Sequence, residues 1–242
     1  MKLNFTSNTA EDTQFVHVYA NKTEEQGSFY TISRSIQKKS FQFFLKRAFD
    51  ILVASILIIL FAPILITVAL LIKLTSKGPI LYSNDRVGYG GINFKCHKFR
   101  SMVTDHSVKH KDHKRHIESA EKGVLHKDKN DSRITWIGKI IRKTSIDELP
   151  QLFNVLFGDM SIVGPRPLVP FMLVPYPEFK EVRCLVRPGI TGLWQIRDRE
   201  NNTSAEFMIE HDTEYIEDYT FLLDMKILMQ TPVVVLSGKG AY

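Results

Sequence analysis

Residues 51–72 read ILVASILIILFAPILITVALLI, a run of 22 residues without a charge. At about 1.5 Å per residue such a helix reaches about 33 Å, just enough for a hydrocarbon core of about 30 Å. The length points to a membrane span rather than a buried core helix. Two features complicate a straight span. Pro63 lies near the middle, where it removes a backbone hydrogen bond and favours a kink or break. Positive charge flanks both ends, with Lys38, Lys39, Lys46 and Arg47 before the run and Lys73 and Lys77 after it. Cytoplasmic loops collect Lys and Arg, so both flanks are drawn to the same face. A helix bent at Pro63, with arms of about 17 Å, satisfies that requirement. The proline alone is compatible with a kinked span; the charge symmetry favours a re-entrant helix.

Outward from this segment, Lys46, Arg47 and Asp50 sit at its mouth. Interfacial snorkelling and an intrahelical ion pair account for them, and such a cluster at head-group depth also suits a lipid phosphate. Residues 1–38 are polar, aperiodic and without an apolar signal-peptide core, which predicts a mobile tail. The organisation expected is therefore a tail (1–38), a membrane helix with its interfacial anchor (39–77) and a soluble domain (78–242). Composition is ordinary for a globular protein, 44% apolar and 24% charged. The 32 Lys+Arg against 26 Asp+Glu favour anionic partners without choosing among them. Cys96 and Cys184 form no CxxC pair, which argues against a disulfide framework or zinc site.

In the soluble part, 81–102 reads as two strands around Tyr89-Gly90-Gly91, a β-hairpin. Its glycines match neither a P-loop nor a dinucleotide fingerprint. Lys98 and Arg100 are, on pattern alone, an exposed strand face. The His-rich segment 105–131 has nearly balanced charge and reads as solvated, not as a metal site. It lacks the aromatic interleaving of a nucleic-acid surface, so no nucleic-acid partner is expected. Arg166 lies between Pro165 and Pro167, whose fixed φ preorganises it to grip an anion, although an extended connector reads the same way. Arg187 and Arg197 flank turns whose amides also suit a phosphate. Near the C-terminus, Thr203-x-x-Glu206 is a capping box. Met208, Tyr215, Tyr219, Phe221, Leu222, Met225, Met229 and Val233 then make a long oily face, for a core or a membrane surface.

One stretch carries two adjacent acids, TSIDELPQLFNVL at 144–156. Ser145-x-x-Glu148 reads as a capping box, with Asp147 and Glu148 complementing a helix dipole. Leu149, Leu152, Phe153 and Leu156 follow at the spacing of an amphipathic helix. Capping explains the pair locally.

The blocks KRAFDI, KFRSM, RKTSIDELPQLFNVLFGDMSIVGPRP and RPGITGLWQI stand in this order around the proline-interrupted apolar run. Together they resemble the bacterial sugar transferases, the monotopic polyprenyl-phosphate phosphoglycosyl transferases, over about residues 40–242. The ending LSGKGAY and the GLWQI variant look most like the exopolysaccharide-production branch. The resemblance implies an α+β fold, mainly helical with a small hairpin, anchored by a re-entrant helix broken at Pro63. It implies that Asp147 and Glu148 are a catalytic dyad, with Mg²⁺ required and Asp147 as its ligand. The expected substrate-binding set is Lys98, Arg100, Arg142, Arg166, Arg187 and Gln195. Lys46, Arg47 and Asp50 match the family's motif at the membrane boundary. One departure is Ala62-Pro63 where many members have Ser-Pro, which leaves the bend angle less determined. Larger relatives carry an N-terminal bundle of membrane helices, so the form expected is the minimal one.

The reaction implied is transfer of a sugar-1-phosphate from a UDP-sugar to undecaprenyl phosphate with release of UMP. Galactose is the first expectation and glucose the second; a catalytically inactive membrane scaffold is the rival class. The expected location is the cytoplasmic face of the bacterial inner membrane, among its lipids, and a homodimer is allowed.

Overall fold

The computed structural model describes residues 27–103, 131, 133–197 and 205–236. The His-rich segment and Thr203 of the second capping box lie outside the described residues. The first element, α1 (Gly27–Lys38), differs from the expected tail: Ile32 and Ile36 are buried in the main core. The two isoleucines are four apart and share one helix face, enough to dock a short amphipathic helix.

The apolar run lies within α2 (Ser40–Thr75), a helix of 36 residues. It continues through Pro63, so the proline does not end it. Proline removes only its own N–H from the ladder, and its fixed φ is helical. One turn further on, Thr67 Oγ1 donates to the Pro63 carbonyl at 2.8 Å. Most of the helix faces outward with no protein over it, including Ile51, Leu52, Ile56, Ile59, Leu60, Ile66, Leu70 and Leu74. Its other face touches the soluble body at both ends. Phe43, Val53, Ala54, Leu57 and Ile58 pack into the main core, while Leu65, Val68, Ala69, Leu71 and Ile72 pack on Phe99, Ile137 and Ile141.

The hairpin forms as expected. Strands β1 (Leu81–Val87) and β2 (Asn93–Phe99) pair antiparallel, with Leu81 opposite Phe99 and Val87 opposite Asn93. Helix α3 (Trp136–Lys143) follows, its first turn capped by Thr135 accepting from the Gly138 amide. A 3₁₀ turn at Ile146–Glu148 leads to α4 (Gln151–Phe157). Strand β3 (Ser161–Val163), helix α5 (Pro177–Arg183), strand β4 (Gly189–Thr191) and helix α6 (Leu193–Arg197) come next. Helices α7 (Ala205–Glu217) and α8 (Phe221–Leu236) complete the described chain.

Strands β3 and β4 are parallel, Ser161 opposite Gly189 and Val163 opposite Thr191. The glycines of VGPRP and PGITG make this pairing fit. A Cβ on Gly189 would stand 2.1 Å from the Gly164 amide, and one on Gly192 would stand 2.3 Å from the Gly164 carbonyl. Only hydrogen side chains allow that approach. The oily C-terminal face divides. Met208, Tyr215 and Tyr219 are core residues, whereas Leu222, Met229 and Val233 of α8 are 78%, 80% and 70% exposed.

Candidate active site

The two acids sit where no capping box forms. Ser145 takes a left-handed conformation, φ 57° and ψ 16°, and its side chain makes no cap hydrogen bond. It is the one non-glycine residue at positive φ among those described, a conformation that costs roughly 1 kcal/mol or more. The left-handed step separates the end of α3 from the 3₁₀ turn bearing Asp147 and Glu148. Helix α4 begins only at Gln151, after Pro150. Gln151, Leu152, Asn154 and Val155 are buried, and Leu149, Leu152 and Leu156 of the expected stripe pack on the main core; Phe153 departs from it, 39% exposed.

Glu148 is drawn elsewhere by charge. Its Oε1 accepts from Lys98 Nζ at 2.5 Å and from Arg166 Nη2 at 3.1 Å. Two charge-assisted bonds outweigh the single backbone amide that a cap would offer. Burial would raise its pKa, but Lys98 and Arg166 hold the carboxyl well below the usual range. Asp147 has the opposite environment. Among the described residues no group donates a hydrogen bond to its carboxylate. Burial first, and the Glu148 charge second, push its pKa up to about 6, against the pull of Lys98, Arg142 and Arg166. Asp147, placed by the sequence as a complement to a helix dipole, is thus shifted in the sense opposite to the one a dipole would give. Adjacent acids thus have divided environments, one hydrogen-bonded by two cations and one with no hydrogen-bond donor among the described residues, a common pattern of catalytic carboxylate pairs.

The cations reach the dyad from three directions. Lys98 comes from β2, Arg142 from the last turn of α3, and Arg166 from the loop after β3. The Arg166 guanidinium also lies 5.8 Å from the Trp194 ring centroid. Asn154 fixes the hairpin against the dyad: its Oδ1 accepts from the His97 amide at 3.0 Å, and its Nδ2 donates to the Lys95 carbonyl at 2.8 Å. An asparagine inside an apolar helix is the sequence signal that marks it.

Other expected residues lie elsewhere. Arg100 is buried and turned away, donating to the carbonyls of Ser76 and Lys77 at the C-terminal end of α2. Orphan carbonyls of a helix end are strong acceptors for a guanidinium. Arg187 Nε donates to the Gly158 carbonyl at 2.8 Å, just past α4. Gln195 Nε2 donates to the Ile190 carbonyl at 2.9 Å, and its Oε1 is buried without a partner. Arg197 pairs with Glu214 rather than with turn amides.

Lys46, Arg47 and Asp50 do not form an open phosphate site. Lys46 and Asp50 are buried, 6% and 2% exposed. Lys46 pairs with Asp224, and Asp50 Oδ1 accepts from Ser161 Oγ and the Ile162 amide, both at 3.0 Å. Arg47 caps α4 through the carbonyls of Val155 at 2.6 Å and Leu156 at 2.9 Å. These three side chains bind the membrane helix to the soluble body, because buried charges need partners that lipid would not supply.

Sequence comparison agrees with this arrangement of motifs. The profile of a family described as "Bacterial sugar transferase" matches residues 41–238. The chain belongs to the bacterial sugar transferases. An undecaprenyl-phosphate galactose phosphotransferase of Salmonella typhimurium is 43% identical over 214 residues, 87% of this chain and 44% of that protein. The exopolysaccharide production protein ExoY of Rhizobium meliloti is 38% identical over 81% of this chain and 88% of its own length. A UDP-glucose:undecaprenyl-phosphate glucose-1-phosphate transferase of Klebsiella pneumoniae is 42% identical over 81% of this chain and 41% of that protein. The chain thus spans less than half of two of these relatives and most of the third. The site's chemistry suits an anionic ligand: one carboxylate with no hydrogen-bond donor among the described residues, one neutralised carboxylate and three cations.

Proposed function

We propose that the protein transfers a sugar-1-phosphate from a UDP-sugar to undecaprenyl phosphate, releasing UMP, as the first step of exopolysaccharide or other surface-glycan assembly. The observation that carries this is the contrast at the dyad. Asp147 is half-buried beside three cations yet has no hydrogen-bond donor among the described residues, while Glu148 is bound to Lys98 and Arg166. A partly desolvated carboxylate that no donor ties down is free to act as a nucleophile.

Asp147 is the nucleophile. Its oxygen attacks the sugar-bearing phosphorus, a P–O bond forms, and the bond to the bridging oxygen breaks with its electron pair leaving on UMP. An oxygen of undecaprenyl phosphate then attacks the same phosphorus, which returns the Asp147 carboxylate and gives the lipid diphosphate-sugar. Arg166, Arg142 and Lys98 offset the charge of the phosphates. Glu148 orients Lys98 and Arg166, since its strong pairing makes it a poor proton carrier near neutral pH.

Mg²⁺ fits this donor set. No cluster of three metal-ligating side chains occurs among the described residues, and Mg²⁺ is commonly held by one or two carboxylates with substrate phosphates and water. Asp147 supplies that carboxylate. When bound, the ion neutralises the diphosphate.

The active site stands at the membrane surface on the cytoplasmic side, with α2 re-entrant. Contacts from both ends of α2 to one soluble body support this, because a full span would carry the ends to opposite faces. The exposed apolar face of α8 lies against the same surface. There the lipid phosphate is met on a surface rather than in a volume. Galactose ranks first because the Salmonella relative is named for it, and glucose second because the Klebsiella relative is.

The test is UMP release by the membrane-bound protein with Mg²⁺, undecaprenyl phosphate and a panel of UDP-sugars. Release with UDP-galactose or UDP-glucose that depends on the lipid for repeated turnover is expected. No UMP from any UDP-sugar would leave an inactive scaffold as the reading.

A further inference from the structure

The loop that presents Arg166 is held at each carbonyl from Pro165 to Leu168. Pro165 O accepts from the Gly189 amide at 2.8 Å, Arg166 O from the Arg183 guanidinium, Pro167 O from Arg86 Nη1 at 3.0 Å and Leu168 O from the Val87 amide at 3.0 Å. Two of these donors are ordinary backbone groups. Arg183 and Arg86 are cations spent on neutral carbonyls, and neither was singled out by sequence.

Arg183 is the more costly of the two. It is 4% exposed on α5, its guanidinium 5.3 Å from the Phe179 ring centroid. Its acidic partner is Asp212 of α7, at 3.3 Å, also buried. Its Nη1 is buried without a hydrogen-bond partner. A buried ion pair seldom stabilises more than apolar side chains of the same volume would, and an unmet donor adds a penalty. Stability is therefore a weak reason for this group.

Its geometry gives a stronger one. Pro165 and Pro167 each fix φ, and Pro167 restricts the backbone of Arg166 before it. With the Arg166 carbonyl held, little freedom remains except in its own side chain, which ends on Glu148 at 3.1 Å. We propose that Arg183, backed by Asp212, is a positioning residue: by holding the Arg166 carbonyl it aims the Arg166 guanidinium at Glu148 and at the phosphates of the substrate. This rests on the transferase reading of the site.

A double-mutant cycle between Arg183 and Arg166 tests it. In UMP release, Arg183→Met is expected to lower kcat about 100-fold, the scale of a displacement of about 1 Å at a reacting centre. Arg183→Lys keeps the charge and a donor and should recover part of that loss. In an Arg166→Ala background, Arg183→Met should cost less than about two-fold more, because its action runs through Arg166. The same cycle is read in the dissociation constant for UDP, where the two substitutions should again be non-additive. Equal losses in both backgrounds, or a loss that follows only the folded fraction in thermal melts, would overturn the proposal. Should Arg183→Met fail to fold, Arg183→Lys and Asp212→Asn are crossed with Arg166→Ala under the same criteria. A wild-type protein that releases no UMP sinks the reaction assigned above, and the UDP-binding cycle then judges the positioning role by itself.

Discussion

Lys46 Nζ and Asp224 Oδ2 lie 2.6 Å apart in the buried interior, although 178 residues separate them in the chain. Tyr215 completes the pair, its hydroxyl donating to Asp224 Oδ1 at 2.7 Å. The start of the membrane helix is thereby joined to the start of α8. Removing one partner leaves a buried charge unpaired, at a cost of about 3–5 kcal/mol. Lys46→Met and Asp224→Asn should each lower the melting temperature in detergent sharply. The double variant, with no charge left, should recover much of the loss. Full additivity of the two single effects would show that the pair is not coupled.

Asp147→Asn should abolish turnover without weakening the fold. Burial already disfavours the ionised carboxyl, so removing its charge leaves stability unchanged or higher near neutral pH. UMP release should fall by orders of magnitude, since the covalent route is lost. Wild-type protein given labelled UDP-sugar without lipid should carry label on the peptide containing Asp147. Wild-type rates from Asp147→Asn would reduce the dyad to a structural turn.

Both ends of α2 should be inaccessible from outside the cell. Ser40→Cys and Lys77→Cys place thiols at exposed positions on either side of the apolar run. A membrane-impermeant thiol reagent added to intact cells should modify neither, and should modify both after lysis. External labelling at one end only would establish a full span.

Asp212 gives the fold a pH dependence of definite sign. Burial pushes its pKa from 3.8 to about 6, with Arg183 opposing. The folded state binds the proton more tightly than the unfolded state, so this term is favourable at low pH. It is lost as pH rises from about 4 to 6, to a depth of about 3 kcal/mol. Asp212→Asn lacks this group and should show a flatter melting temperature over that interval. An identical slope in wild type and variant would assign the pH dependence to other carboxyls.

Periodic and local features were legible from sequence. The hairpin around Tyr89-Gly90-Gly91, the long apolar helix and the gathering of Lys98, Arg142 and Arg166 about the dyad all appear where residue patterns and the family resemblance place them. What failed was decided by distant partners. Ser145 and Glu148 have the spacing of a capping box, yet Lys98, 50 positions away, claims the carboxylate. Arg100 has the look of an exposed strand residue, and its target is a helix end that no local pattern reveals. Lys46 and Asp50 read as interfacial because their neighbours are, whereas Asp224 and Ser161 draw them inward. Helix α1 was missed because two isoleucines in a polar stretch give a weak period.

The grip of Arg100 on the end of α2 joins two things usually treated apart. On the same stretch of chain, two residues earlier, Lys98 holds Glu148. The C-terminal end of the apolar helix and the Glu148 carboxylate are therefore both held by one short piece of β2 and the residue after it. A bilayer too thick or too thin for the apolar run is accommodated by tilting or bending the helix. In the re-entrant arrangement proposed above, such a tilt would be passed through Arg100 and β2 to the turn bearing Asp147 and Glu148, making membrane thickness a mechanical input to the site.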